Sequence, residues 1–113
     1  MNCIFCDIIN NKIPSSKIYE DDFLIAFEDT NPQAPVHILL VPKKHIDNIL
    51  KFDAEDDKLV TQIFSAIKKI AEKFNLQENG LRIIVNTGVA AGQTVDHVHL
   101  HLLGERIFSW PPG

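Results

Sequence analysis

The chain has 113 residues, of which 45% are hydrophobic and 23% charged, with a formal net charge of −4. That length holds one domain, 1–113, with a modest core, and the composition is that of an ordinary globular protein. The acidic balance excludes a general nucleic-acid-binding or membrane-surface protein, so an anionic ligand would need a local site.

The N-terminus lacks a basic stretch followed by an apolar run, which implies a cytoplasmic location. Cys3 and Cys6 are the only cysteines and form a C-x-x-C pair. Such a pair is a redox dithiol, half of a metal site, or two incidental thiols. A redox motif normally follows a strand in a βαβ setting, and this pair instead opens a short apolar stretch. Phe5, Ile8 and Ile9 recur there at helical spacing, which predicts a short helix over Cys3 to Asn10. Breakers at Asn10-Asn11 and Pro14-Ser15-Ser16 end it.

Ile18 to Glu20 and Phe23 to Glu28 read as two strands of a hairpin turning at Asp21-Asp22. A loop with Pro32 and Pro35 follows. Val36 to Val41 reads as a continuous apolar strand stopped by Pro42, and Lys43-Lys44-His45 forms a basic corner beyond it. His37, between Val36 and Ile38, reads as a packed histidine with one hydrogen bond. Asp53 is placed to cap a long helix, with Glu55, Asp56 and Asp57 at the positive end of its dipole and Lys68, Lys69 and Lys73 at the negative end. Val60, Phe64, Ile67, Ala71 and Phe74 give its expected apolar stripe. The lysine run reads as a solvated helix end. After the Asn79-Gly80 turn, Leu81 to Asn86 reads as a strand. The loop Gly92-Gln93-Thr94 then leads into the most informative stretch of the chain.

That stretch is His97-Val98-His99-Leu100-His101-Leu102-Leu103. Strict alternation predicts a half-buried strand, with three imidazoles on one face and Val98, Leu100 and Leu102 in the core. Three readings are open. A single metal held by His97, His99 and His101 is disfavoured, because residues i, i+2 and i+4 span about 13 Å. A division of labour makes one histidine a nucleophile and its neighbours its supports. The third reading is three satisfied imidazoles without function. A nucleophilic imidazole suits phosphoryl transfer, and the glycine loop just before it can hold phosphate oxygens. A metal attaches better to Cys3 and Cys6, with His45 and His97 as candidates for the remaining positions of a tetrahedral zinc site. One long helix, one short helix and about five short strands make an α+β domain.

At this point the chain resembles the histidine triad (HIT) family. The histidine stretch is similar to the family signature. Further similar segments follow in order: Phe5-Cys6-Asp7-Ile8-Ile9, Ile13-Pro14, Glu20-Asp21, Ala34-Pro35-Val36-His37, Val41-Pro42-Lys43-Lys44-His45, Gly92-Gln93 and Trp110-Pro111-Pro112-Gly113. The last resembles the Hint-like branch of nucleoside phosphoramidases. The resemblance implies a five-stranded antiparallel sheet with two helices, doubled by a homodimer into ten strands.

It implies His99 as the nucleophile of a nucleotidyl-histidine intermediate, with His101 and His97 completing the catalytic set. His101 would contact the phosphate with Asn86, Gln93, Thr94 and the Gly92 backbone. Asp29 would bind the ribose, Phe5, Ile8 and Phe27 would line a purine pocket for an AMP- or GMP-type ligand, and Trp110 would lie near the partner's site. Cys3, Cys6, His45 and His97 would hold a structural zinc, and no organic cofactor is implied. Histidine rather than glutamine at 101 disfavours transfer to a sugar phosphate, while Asp96, before the triad, departs from the aromatic residue or proline of many relatives. The same nucleophile would also serve a dinucleoside polyphosphate hydrolase, and a nucleotide-binding regulatory or scaffold protein with incidental turnover is the alternative from another class.

Overall fold

The computed structural model describes residues 3–113; the first two residues of the expected domain lie outside the described residues. The elements run α1 (Ile4–Ile9), β1 (Lys17–Glu20), β2 (Leu24–Glu28), β3 (Val36–Pro42), α2 (Asp57–Lys73), β4 (Leu81–Ile84) and β5 (Leu100–Gly104). The strands form one antiparallel sheet in the order β1-β2-β3-β5-β4.

Alternation along the strands supplies both faces of the sheet. Leu24, Ala26, Ile38, Leu40, Leu100 and Leu102 face α2 in the main core. Ile25, Phe27, Leu39 and Val41 point the other way, against Cys3, Phe5 and Ile8 of the N-terminal segment. Alternation puts His37 on the face covered by α1, with Leu39 and Val41. Asp21 closes the β1–β2 hairpin, its Oδ1 accepting the N–H groups of Phe23 (2.7 Å) and Leu24 (3.0 Å).

The start of α2 is a two-step entry. Asp53 accepts the Glu55 N–H at 3.0 Å and Asp56 accepts the Asp53 N–H at 3.1 Å, capping a short 3-10 turn over Ala54–Asp56. The helix proper begins one residue later. Its buried face is Leu59, Ile63, Ala66, Ile67, Ile70 and Ala71, whereas Val60 is 38% and Phe64 62% exposed. Ile67 and Ala71 of the expected stripe are buried and Phe74 packs on the core, so only its first part, Val60 and Phe64, turns outward. Two apolar sets coexist on this helix, and the set containing Leu59, Ile63 and Ile70 buries more continuous surface, at about 2 kcal/mol for each large side chain. The lysine end is only partly free: Lys73 donates to the Ile18 carbonyl at 3.3 Å and Lys69 lies 5.8 Å from the Tyr19 ring centroid.

The basic corner after β3 is neutralised. Lys43 pairs with Glu20 at 2.9 Å, and Lys44 with Asp56 at 2.7 Å and Glu55 at 2.8 Å. These contacts tie the corner to the β1 end and to the α2 entry, fixing the backbone that carries His45.

The histidine strand starts later than the alternation predicts. Pairing of β3 with β5 ends at Leu40↔Leu100, so residue 98 would fall opposite Pro42, which has no N–H to extend the ladder. The Val98 N–H bonds instead to the Ile46 carbonyl, at 2.6 Å. The face assignment survives this change: Val98 is in the α2-facing core, while His97 and His99 pack against Phe5. Strand β4 likewise stops at Ile84, two residues before Asn86.

Candidate active site and metal centre

The two ends of the histidine stretch do different work. His97 is fully buried, and its Nε2 lies 2.8 Å from the Pro42 carbonyl oxygen, an acceptor only. The ring proton therefore sits on Nε2, and Nδ1 presents a lone pair. That Nδ1 is 3.3 Å from the Cys3 Sγ and 3.6 Å from the Cys6 Sγ. His45 repeats the arrangement: its Nε2 is 3.1 Å from an Asp47 carboxylate oxygen and its Nδ1 3.3 Å from the Cys6 Sγ. One ligand atom from each of Cys3, Cys6, His45 and His97 lies within 4.8 Å of every other.

Two sulfurs and two imidazole lone pairs converging on one point are the donor set of a tetrahedral zinc site, with both imidazoles oriented by partners on their far nitrogens. Burial, and then the neighbouring Cys3, push the Cys6 thiol up from its ordinary value, a direction that a bound cation would reverse. The four residues thus fit the metal implied by the C-x-x-C pair. Helix α1 carries the consequence inward: Cys3 caps it, and one turn holds Cys6, Phe5 and Ile8.

Phe5 packs edge-on against both His97 (5.9 Å between centroids) and His99 (4.9 Å). It also walls a cavity of about 470 Å³ with Ile8, Phe27 and Leu39, whose rim includes Ser15, Asp29 and Thr30. This is an apolar slot with a polar margin, of the size small organic ligands use.

His99 is buried, and its Nδ1 donates to the His97 carbonyl at 2.8 Å. With the proton held there, Nε2 is left bare. The His101 ring lies beside it, 5.1 Å between centroids. His101 Nδ1 is 2.9 Å from His37 Nε2, while His37 Nδ1 accepts the Gln33 N–H at 2.9 Å. Since a main-chain N–H can only donate, neutral His37 must carry its proton on Nε2, where the nearer acceptor is His101 Nδ1 at 2.9 Å and the farther is Asp29 Oδ2 at 3.4 Å. His101 then carries its own proton on Nε2. Adjacent imidazoles are thus fixed in opposite senses, one offering a lone pair and the other an N–H.

His37 is therefore more than a packed histidine with one bond. It lies on β3 opposite β5, and its alternation within Val36–Pro42 was the available signal, since it shares the face of Leu39 and Val41.

Burial, with help from His99 and His37, pushes His101 down to about 4, and burial also lowers His37. Both are neutral at pH 7. Unfolded histidines take up protons near 6.5 while folded His101 resists until about 4, so stability is full above pH 6.5 and falls as pH drops toward 4. The expected loss is up to about 3 kcal/mol from His101, read as urea midpoints across pH 4.5–7.5. His101→Asn should flatten that slope.

The other expected contacts divide. Asp29 lies at the cavity rim, with Oδ1 accepting the Asn31 N–H at 2.8 Å. Asn86 lines a smaller cavity of about 240 Å³ with His37 and His101. The Gln93 side chain is committed to loop bracing: its amide donates to the carbonyls of Asp47 (2.7 Å) and Val95 (3.0 Å), and its oxygen accepts the Gly88 N–H. Gly92 takes φ +91°, a left-handed conformation that glycine adopts without strain. Thr94 and Asp96 face a cavity beside Cys3 and His45 rather than the slot walled by Phe5. Trp110 is 83% exposed. Arg82 and Arg106, which no sequence motif marks, stack on Phe108 at 4.9 and 4.2 Å and line the His101 cavity with Asn86. Their spacing in the sequence carries no signal; the β4–β5 pairing and the C-terminal tail bring them together.

A sequence model of the HIT domain matches residues 10–107. The chain belongs to the HIT family. It is 50% identical over 110 residues to an uncharacterised HIT-like protein of Synechococcus elongatus, covering 97% of this chain and 96% of the relative. The crystal structure of a HIT family hydrolase from Legionella pneumophila superposes with a TM-score of 0.96 at 45% identity, over 99% of this chain and 100% of that one. A histidine triad nucleotide-binding protein from Candida albicans gives a TM-score of 0.84 at 34% identity, over 99% of this chain and 85% of that one. The five-stranded antiparallel sheet is thus the HIT fold. Among the described residues, no helix is long and apolar enough to cross a membrane.

Proposed function

We propose that this HIT protein is a cytoplasmic purine-nucleotide hydrolase of one domain, 1–113, that cleaves nucleoside phosphoramidates through a covalent nucleotidyl-His99 intermediate. The observation that carries the reading is the opposed pair of tautomers. His99 Nε2 offers a lone pair while the neighbouring His101 Nε2–H offers a donor, beside an apolar slot walled by Phe5. The names of two similar structures, one a hydrolase and one nucleotide-binding, support the same class.

In this mechanism the purine occupies the slot between Phe5, Ile8 and Phe27, and Asp29 accepts from the ribose hydroxyls. His99 Nε2 attacks phosphorus, the P–N bond breaks, and the nitrogen takes a proton from solvent and leaves as the amine. Water then attacks phosphorus in turn, the P–Nε2 bond breaks, and the nucleotide is released. The His101 N–H, with Asn86 and the backbone at Gly92, holds the phosphoryl oxygens as charge builds on them. The Gln93 side chain contributes by holding that loop. Zinc on Cys3, Cys6, His45 and His97 would serve structure, pinning α1 and through it Phe5. The open edge of β4 and the exposed Phe64 and Trp110 support a homodimer with a ten-stranded sheet.

Adenosine 5′-phosphoramidate is expected to exceed diadenosine polyphosphates in kcat/KM by at least about tenfold, about 1.4 kcal/mol of differential transition-state binding. A reversed ratio would assign the protein to dinucleoside polyphosphate hydrolysis. AMP binding with negligible turnover of both substrates would move it to the regulatory class.

A further inference from the structure

His37 has no part in the steps above, yet three contacts converge on it. The Gln33 N–H occupies Nδ1, and Nε2 faces both His101 Nδ1 at 2.9 Å and Asp29 Oδ2 at 3.4 Å. Neutral His37 has one proton on Nε2 and two acceptors competing for it. The Asp29 carboxylate cannot turn aside, because Asn31 holds its Oδ1 and the Asp29 N–H bonds to the His37 carbonyl at 3.0 Å. Asp29 is also part of the wall of the ligand cavity. One carboxylate therefore joins the cavity to the imidazole that sets the His101 tautomer.

We propose that His37 is a positioning residue that couples sugar recognition to chemistry. A ribose hydroxyl donating to Asp29 Oδ2 weakens that oxygen as an acceptor for His37, whose Nε2–H is then given wholly to His101 Nδ1, and His101 is held as the Nε2–H donor to the phosphate. This rests on the nucleotide reading given above. A carboxylate oxygen that accepts a hydroxyl proton is a weaker acceptor for a second donor, and an imidazole whose Nδ1 is fully engaged cannot move its own proton there. His37 makes and breaks no covalent bond. A sugar without the diol loses its hydrogen bond to Asp29, which raises KM, and also leaves the competition in place, which lowers kcat.

The test is a cycle of two substrates against wild type, His37→Leu and His37→Gln, using adenosine 5′-phosphoramidate and its 2′,3′-dideoxy counterpart. For wild type the dideoxy substrate is expected to lose about tenfold in kcat, the scale of one hydrogen bond made in a network. His37→Leu should lower kcat on the diol substrate by on the order of 10- to 100-fold with KM within about threefold, and should abolish the dideoxy difference in kcat. His37→Gln, which keeps a donor, should recover most of the loss. Long-range proton–nitrogen spectra should show His101 protonated on Nε2 in wild type with AMP, and a mixture of tautomers with dideoxy-AMP; this pair of spectra decides the matter even where His37→Leu does not fold.

A dideoxy penalty in kcat of the same size with and without His37, a penalty confined to KM, or one His101 tautomer with both ligands would each overturn the coupling alone. Wild-type protein that neither binds AMP nor hydrolyses either substrate would refute the nucleotide reading, and the coupling would fall with it.

Discussion

Replacing His99 by alanine is expected to lower hydrolysis of adenosine 5′-phosphoramidate by on the order of 10⁴-fold or more, because no neighbouring group can form the covalent intermediate in its place. His97 has committed both nitrogens, one to Pro42 and one to the thiol pair. His101 presents an N–H and not a lone pair, because His37 donates to its other nitrogen. AMP affinity should change by less than about tenfold, since the slot is walled by Phe5, Ile8 and Phe27 with Asp29 at its rim, and His99 is not part of that wall. Steady-state kinetics beside AMP titration separates the two effects. A variant that keeps a tenth of wild-type turnover would remove His99 from the nucleophile's role. One that loses AMP binding along with turnover would show that the ring had served to build the pocket.

The second large effect concerns the metal. Protein purified without added metal is expected to carry close to one zinc per chain, and Cys3→Ser and Cys6→Ser to lose it. The four ligands come from three separate parts of the chain: Cys3 and Cys6 at α1, His45 after β3, and His97 before β5. Joining them offsets the chain entropy of fixing the N-terminal segment, and removal should cost several kcal/mol, seen as a drop of about 10 °C or more in melting temperature. Phe5 sits between the metal ligands and His99, so turnover should fall with the metal even though zinc takes no part in the steps. Elemental analysis and thermal melts, with and without a chelator, check this. A metal-free protein with unchanged melting and turnover would contradict it.

Patterns confined to one stretch were legible in the sequence. Alternation gave the face of His97, His99 and His101 because side-chain direction in an extended chain is a local matter. Proline and Asp-Asp turns gave the ends of β2 and β3 for the same reason. What was missed depended on partners distant in the chain. Leu59, Ile63 and Ile70, rather than Val60 and Phe64, face the sheet because the sheet decides which of two apolar sets buries more surface. The histidine strand begins at Leu100 because Pro42, 58 residues earlier, cannot extend the ladder. His37 looked like filling within an apolar strand, and its role shows only once β3 pairs with β5 and sets it beside His101. The Cys3–Cys6–His45–His97 cluster lay between these cases. The residue types suggested it, and only the fold could bring segments so far apart to one point.

The central claim is the covalent bond to His99, and rapid-quench mass spectrometry of the wild-type enzyme turning over adenosine 5′-phosphoramidate tests it most directly. A transient adduct of one AMP moiety is expected on the peptide containing His99, acid-labile as a phosphorus–nitrogen bond requires and absent from His99→Ala. Full turnover with no adduct at any quench time would contradict it, and would mean that water attacks phosphorus directly.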